Sequence, residues 1–160
     1  MKIRDTVVMF LATGWYVGKI PLAPGIFGSL WGLILSFYIA RTAGPLAIAL
    51  IICFIFCAVW IAHAAEKLLA QQDPGCIVID EIAGMVVTLA GLPFNPVIAI
   101  SGFIIFRLLD IIKPFPIRTL ERKVSGGTGI VMDDVLAGII GNILLRIVIE
   151  IADAAGIVIA

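Results

Sequence analysis

Charge is scarce in this 160-residue chain: 14% of its residues are Asp, Glu, Lys or Arg, against 62% that are apolar. Soluble domains carry about 25% charged and about 45–50% apolar residues, so this chain lacks the polar surface that a water-facing sphere requires. An ordinary soluble globular protein is thereby disfavoured. Disorder is excluded more firmly, because disordered chains are poor in apolar residues. The 11 basic and 11 acidic side chains cancel and form no basic stripe, which argues against nucleic acid as a partner. Cysteines number only three, Cys53, Cys57 and Cys76, an odd count that reads as unpaired and buried. No small-residue cleavage site follows the short apolar stretch Thr6 to Thr13, so the amino terminus is expected to be retained.

What is abundant is apolar sequence in long runs. A membrane's hydrocarbon layer of about 30 Å takes about 20 helical residues to cross, so charge-free length is the useful measure. The first such stretch, Ile20 to Ala40, contains Pro21, Pro24 and Gly25, and its helix is expected after Gly25, over Phe27 to Ala40. The second, Thr42 to Ala65, has 24 residues without a formal charge and is the clearest spanning candidate. The third, Ile82 to Phe106, is broken at Leu92-Pro93-Phe94-Asn95-Pro96 and reads as a helical hairpin with two short arms. The fourth runs from Val135 to about Ile151, with Arg146 and Glu150 near its far end, where long side chains can reach an interface. The expectation is a single all-α domain over residues 1–160, a multi-helical integral membrane bundle with short helices.

The basic residues set an orientation. With a cytoplasmic amino terminus, that side holds Lys2, Arg4, Lys19, Lys67, Lys113, Arg118, Arg122 and Lys123, and the opposite loops hold only Arg41. The Pro24–Ser29 turn, the Glu66–Glu81 connection and the Arg107–Asp134 stretch then share the cytoplasmic side.

In so apolar a chain each ionisable group needs a reason. A carboxylate at the bilayer centre costs about 2.5–3.5 kcal/mol, and even at a helix end it must be solvated, paired or metal-bound. Here the charges cluster: Asp80-Glu81; Arg107 with Asp110 and Lys113; Asp133-Asp134. Arg107 and Asp110, three apart, share a helix face, and Lys113 trails toward an end set by Pro114 and Pro116. Five carboxylates at one depth would repel one another unless a cation lies between them, and Mg²⁺ is the hard ion that suits oxygen ligands. Arg107, Lys113 and Arg118 supply the positive contacts that a phosphate monoester needs. Together these features point to phosphoryl chemistry.

Two glycine-rich pieces are compatible with a phosphate: Pro24-Gly25-Ile26-Phe27-Gly28-Ser29 leading into a helix, and Ser125-Gly126-Gly127-Thr128-Gly129 read as a turn shortly before Asp133. Other phosphatase nucleophiles are missing. His63 is the only histidine and sits in an apolar run, no cysteine has Arg six residues later, and no Asp-x-Asp occurs. Metal-assisted carboxylate chemistry is what the inventory permits. A small transporter or channel relaying cations through intramembrane carboxylates is the rival, and a soluble helical binding module is third.

Assembled in order, the motifs resemble the bacterial phosphatidylglycerophosphatase A family. They are Ala23-Pro24-Gly25-Ile26-Phe27-Gly28-Ser29, Asp80-Glu81-Ile82-Ala83-Gly84, the run from Phe106 to Ile117, and Gly126 to Asp134 with Ala137-Gly138. The resemblance implies a Mg²⁺-dependent inner-membrane enzyme that removes the terminal phosphate of phosphatidylglycerophosphate, giving phosphatidylglycerol. We assign Asp80, Glu81, Asp133 and Asp134 to metal binding, with one of them or Asp110 as general base or nucleophile. Arg107 and Lys113 would hold the phosphate, near Arg118, Gly25 and Ser29, while the apolar hairpin and second span accept the acyl chains. Ile26 stands where similar proteins commonly have Thr, so the polar groups of that turn reduce to Ser29 and the backbone.

Overall fold

The computed structural model describes residues 3–157. Its helices are α1 (Ile3–Ala12), α2 (Pro24–Ile39), α3 (Gly44–Leu69), α4 (Ile79–Thr88), α5 (Pro96–Ile112), α6 (Ile117–Lys123) and α7 (Gly126–Ala154), with a 3-10 turn at Val17–Lys19. Lys2, one of the cations counted above, lies outside the described residues.

Proline and glycine punctuate the helices as their chemistry requires. Pro24, Pro45 and Pro96 sit in the first turns of α2, α3 and α5, where a missing N–H breaks no bond. Asn95 caps α5 by accepting a hydrogen bond from the Ile98 N–H at 2.9 Å. Lys113 closes α5 in the left-handed conformation, and Pro114 prevents its continuation. The broken third stretch is therefore two helices, α4 and α5, on either side of a turn.

Two expected boundaries shift. α2 begins at Pro24 rather than after Gly25, since a proline at the first helical position is already set for the helix. α7 begins at Gly126, so the Gly126–Gly129 piece is helix and not a turn. Its glycine content has a packing cause: a Cβ on Gly127 would collide with the backbone of Val59 and His63 in α3.

α4 lies at the centre and packs against α7, α2, α3 and α5. Its closest approach is to α7, where the Gly138 Cα faces the Gly84 carbonyl with no room for a Cβ. One apolar cluster joins α1, α3, α4 and α7 through Val8, Met9, Ala62, Ala83 and Val131. The other joins α4, α5 and α7 through Met85, Ile98, Phe106 and Leu145.

The outside of the bundle is apolar as well. Phe56 and Trp60 of α3 are 73% and 63% exposed. Two helices, α3 and α7, are long and apolar enough to cross a membrane, yet only 22% and 28% of their most apolar stretches are buried. Cys53 and Cys57 lie on that exposed face of α3 and Cys76 is half-buried; all three are free, but the expected burial is not found. In a chain this apolar, a small hydrophobe has no need to face inward.

The two ends differ. The starts of α2, α4 and α7 meet the end of α5 at one end. At the other, Asn142 Nδ2 donates to the carbonyls of Thr88 and Ala90 at 2.9 Å, and Arg146 Nη2 donates to those of Ala90 and Gly91 at 3.1 and 3.2 Å. Arg146 thus joins Arg41 on the side opposite the other cations, capping the α4–α5 turn.

Candidate metal and phosphate site

The charged motifs converge at the first end. Asp80 and Glu81 occupy the first turn of α4, and Asp134 lies two turns into α7. The close α4–α7 contact at Gly84 and Gly138 lets them approach. Ligand oxygens of Asp80, Glu81 and Asp134 all lie within 4.8 Å of one another. Three like charges at that separation in a buried place repel strongly. Asp80 Oδ1, Glu81 Oε2 and Asp134 Oδ2 are buried without a hydrogen-bond partner. Three clustered carboxylates, each with a buried unpartnered oxygen, are a donor set suited to a hard divalent cation, so the residues fit Mg²⁺.

Arg107 of α5 stands beside the triad. Its Nη1 is 2.7 Å from Asp110 Oδ2, one helix turn away, and 3.9 Å from Glu81 Oε1. The shared helix face expected from spacing is observed. The Arg107 Nε is buried and without a partner. Gly25, at the start of α2, lets this pair pack against the helix backbone: a Cβ there would collide with Glu81 Oε1 and lie 2.8 Å from Arg107 Nη1. Ser29 is fully buried; its hydroxyl donates to the Gly25 carbonyl at 2.8 Å and accepts from Arg107 Nη1 at 3.5 Å. Ser29 thus lies buried within hydrogen-bond reach of Arg107.

Asp133 parts from its neighbour. Its Oδ2 accepts from Lys113 Nζ at 2.6 Å and its Oδ1 from the Asp134 N–H at 3.0 Å, outside the carboxylate triad. Lys113 also donates to Glu121 Oε1 at 2.8 Å. Burial works against the lysine's charge, but these two hydrogen bonds outweigh it and hold its pKa above the usual range. Arg118 is exposed on α6 and does not line the acidic cavity.

That cavity, of about 170 Å³, is bounded by Asp80, Glu81, Asp110, Lys113, Asp133 and Asp134, together with Asp73 and Gly75 from the α3–α4 connection. Asp73 and Glu121 escape a reading of the sequence. Asp73 sits in Asp-Pro-Gly, which reads as a turn, and only its left-handed φ of 45° turns it into the site. Burial pushes its carboxyl above the usual range, with Lys113 opposing and Glu121, Glu66 and Asp110 reinforcing the shift. A larger cavity of about 370 Å³ shares Asp73, Ile130 and Asp133 with the first.

The family described as Phosphatidylglycerophosphatase A matches residues 10–149, which include every residue of this site. The chain belongs to the phosphatidylglycerophosphatase A family. A relative from Escherichia coli (strain K12) named Phosphatidylglycerophosphatase A is 41% identical over 136 residues, covering 81% of this chain and 76% of that one. A Haemophilus influenzae protein of the same name is 37% identical, covering 86% of each chain. A Bacteroides thetaiotaomicron protein named as a candidate phosphatidylinositol-3-phosphatase is 35% identical, covering 92% of this chain and 96% of its own. No solved structure gives a significant match. The chain is accordingly a lipid phosphatase of this family, and Asp80, Glu81 and Asp134 form a cluster that could hold a metal ion.

Proposed function

We propose that this chain is a Mg²⁺-dependent phosphatase that removes the terminal phosphate of phosphatidylglycerophosphate at the cytoplasmic face of a bacterial inner membrane, leaving phosphatidylglycerol. The observation that carries this reading is the cluster of Asp80, Glu81 and Asp134, each with a buried unpartnered oxygen and with ligand oxygens within 4.8 Å of one another, beside an arginine that lies 3.9 Å from Glu81. Family membership favours it over the transporter alternative, which gives no reason for an arginine packed beside the acids.

In this reading Asp80, Glu81 and Asp134 hold the ion. When bound, Mg²⁺ supplies charge neutralisation to the phosphoryl oxygens and polarises the phosphorus centre. Arg107 binds the phosphate with its planar donors, and the Asp110 carboxylate at 2.7 Å keeps the guanidinium oriented. Asp110 also serves as the general base or the nucleophile, and Lys113, fixed by Asp133 and Glu121, adds positive charge at the cavity wall. Gly25, having no side chain, lets Arg107 and Glu81 lie together against the start of α2. The exposed apolar faces of α3 and α7, longer than a bilayer's hydrocarbon layer, support a multi-pass membrane bundle.

Purified protein in detergent should release phosphate from phosphatidylglycerophosphate with Mg²⁺ and lose that activity in EDTA. Release independent of the metal, or none from this lipid, would refute the proposal. Phosphatidylinositol 3-phosphate run beside it tests the headgroup assignment. Single turnover in oxygen-18 water separates the two chemical routes: label entering phosphate directly means activated water, and label entering a carboxylate means an aspartyl-phosphate.

A further inference from the structure

Away from the acidic site, the first turn of α1 and the last turns of α3 splay apart around a cavity of about 290 Å³. Arg4, Asp5, Trp60, His63 and Lys67 line it together with apolar neighbours such as Val8. None of its wall residues belongs to either acidic cavity. Arg4 is 82% exposed and reaches Asp5 only at 3.9 Å. Among the described lining residues, Arg4 and Lys67 against Asp5 leave an excess of one positive charge, which matches the single negative charge of a phosphodiester. Trp60 is 63% exposed and lies seven residues, about 10 Å, along α3 from Lys67 toward the apolar middle of the helix. Cations at a helix end with an exposed indole beneath them match the headgroup and upper acyl region of a phospholipid.

We infer that the α1–α3 cavity binds the headgroup of a monoanionic phospholipid, with Arg4 and Lys67 on the phosphate and Trp60 against the glycerol and first methylenes. The site is separate from the phosphatase reading and stands without it. Arg4 comes from α1 and Lys67 from α3, so a bound lipid would bridge the two helices. The charge excess selects for lipids of net negative charge over zwitterionic ones, whose net charge is zero.

The test uses the full chain in phosphatidylcholine nanodiscs containing phosphatidylserine, a monoanion that is neither the proposed substrate nor its product. Association of spin-labelled phosphatidylserine is compared with that of spin-labelled phosphatidylcholine. The wild type should prefer phosphatidylserine; Arg4→Gln and Lys67→Gln should each lower the preference about fivefold, and the pair about 25-fold. Lys67→Arg should retain it. Retained phosphate release in detergent shows that each variant is folded, since these residues do not line the acidic cavities. An unchanged preference in the double variant overturns the inference. So does loss of the wild-type preference in excess inorganic phosphate at fixed ionic strength, because the site would then take a free anion and not a lipid.

Discussion

At the scale of single residues, Asp133 and Asp134 show how neighbouring acids come to do different work. Successive side chains on a helix point about 100° apart, so one turns to the triad and the other to Lys113. Asp134→Asn should lower phosphate release by more than about 100-fold while the protein still inserts, and Asp110→Asn should do the same. Near-normal rates in either variant would remove that residue from the chemistry. Arg107→Lys keeps the charge but loses the planar fork; a drop of about tenfold or more in kcat/KM is expected. Lys113→Met leaves Asp133, with a side chain only 6% exposed, beside no cation, and should cost about 2–4 kcal/mol in thermal unfolding. The lysine's pKa is raised above its ordinary 10.5, so its contribution is complete below that pH and is lost only as pH climbs past the raised value. The stability gap between wild type and Lys113→Met should therefore stay flat between about pH 7 and pH 9. The acids at 80, 81, 110 and 134 were legible because a carboxylate in apolar sequence demands a partner. Asp73 was not, because its role depends on how the α3–α4 connection folds back, and the division between Asp133 and Asp134 depends on which face of α7 meets α4.

Among elements, α4 and α7 determine whether the site exists. Gly138→Val would push α7 from the Gly84 carbonyl, and overpacking of this kind costs about 1–3 kcal/mol while separating Asp134 from Asp80. Reduced thermal stability together with weakened Mg²⁺ activation would show the coupling; full activity would show that the contact can relax. The hairpin was legible from Pro93, Asn95 and Pro96, whose chemistry is local. The start of α7 was not. Glycine-rich sequence normally favours turns, and here the requirement for close contact between Gly127 and α3 overrides that preference.

For the molecule as a whole, the orientation of the bundle in a bilayer is the property from which access to the site follows. In a cysteine-free background, Gln71→Cys near the site and Ala43→Cys at the opposite end should react with a membrane-impermeant maleimide from opposite sides. Labelling of Gln71→Cys from outside intact spheroplasts would reverse the proposed topology. The cap on the α4–α5 turn bears on the same question of depth. From Asp134 to Arg146 is twelve residues, about 18 Å, and α4 itself rises only about 15 Å over its 10 residues, so neither reaches across a layer of about 30 Å. In the proposed bilayer the chain reverses direction inside the hydrocarbon, where no water can serve the carbonyls of Thr88, Ala90 and Gly91. Asn142 and Arg146 act there as a solvent built into the protein. In that bilayer the α4–α5 hairpin is re-entrant, and α3 and α7 beside it are the helices with the length to reach the far leaflet.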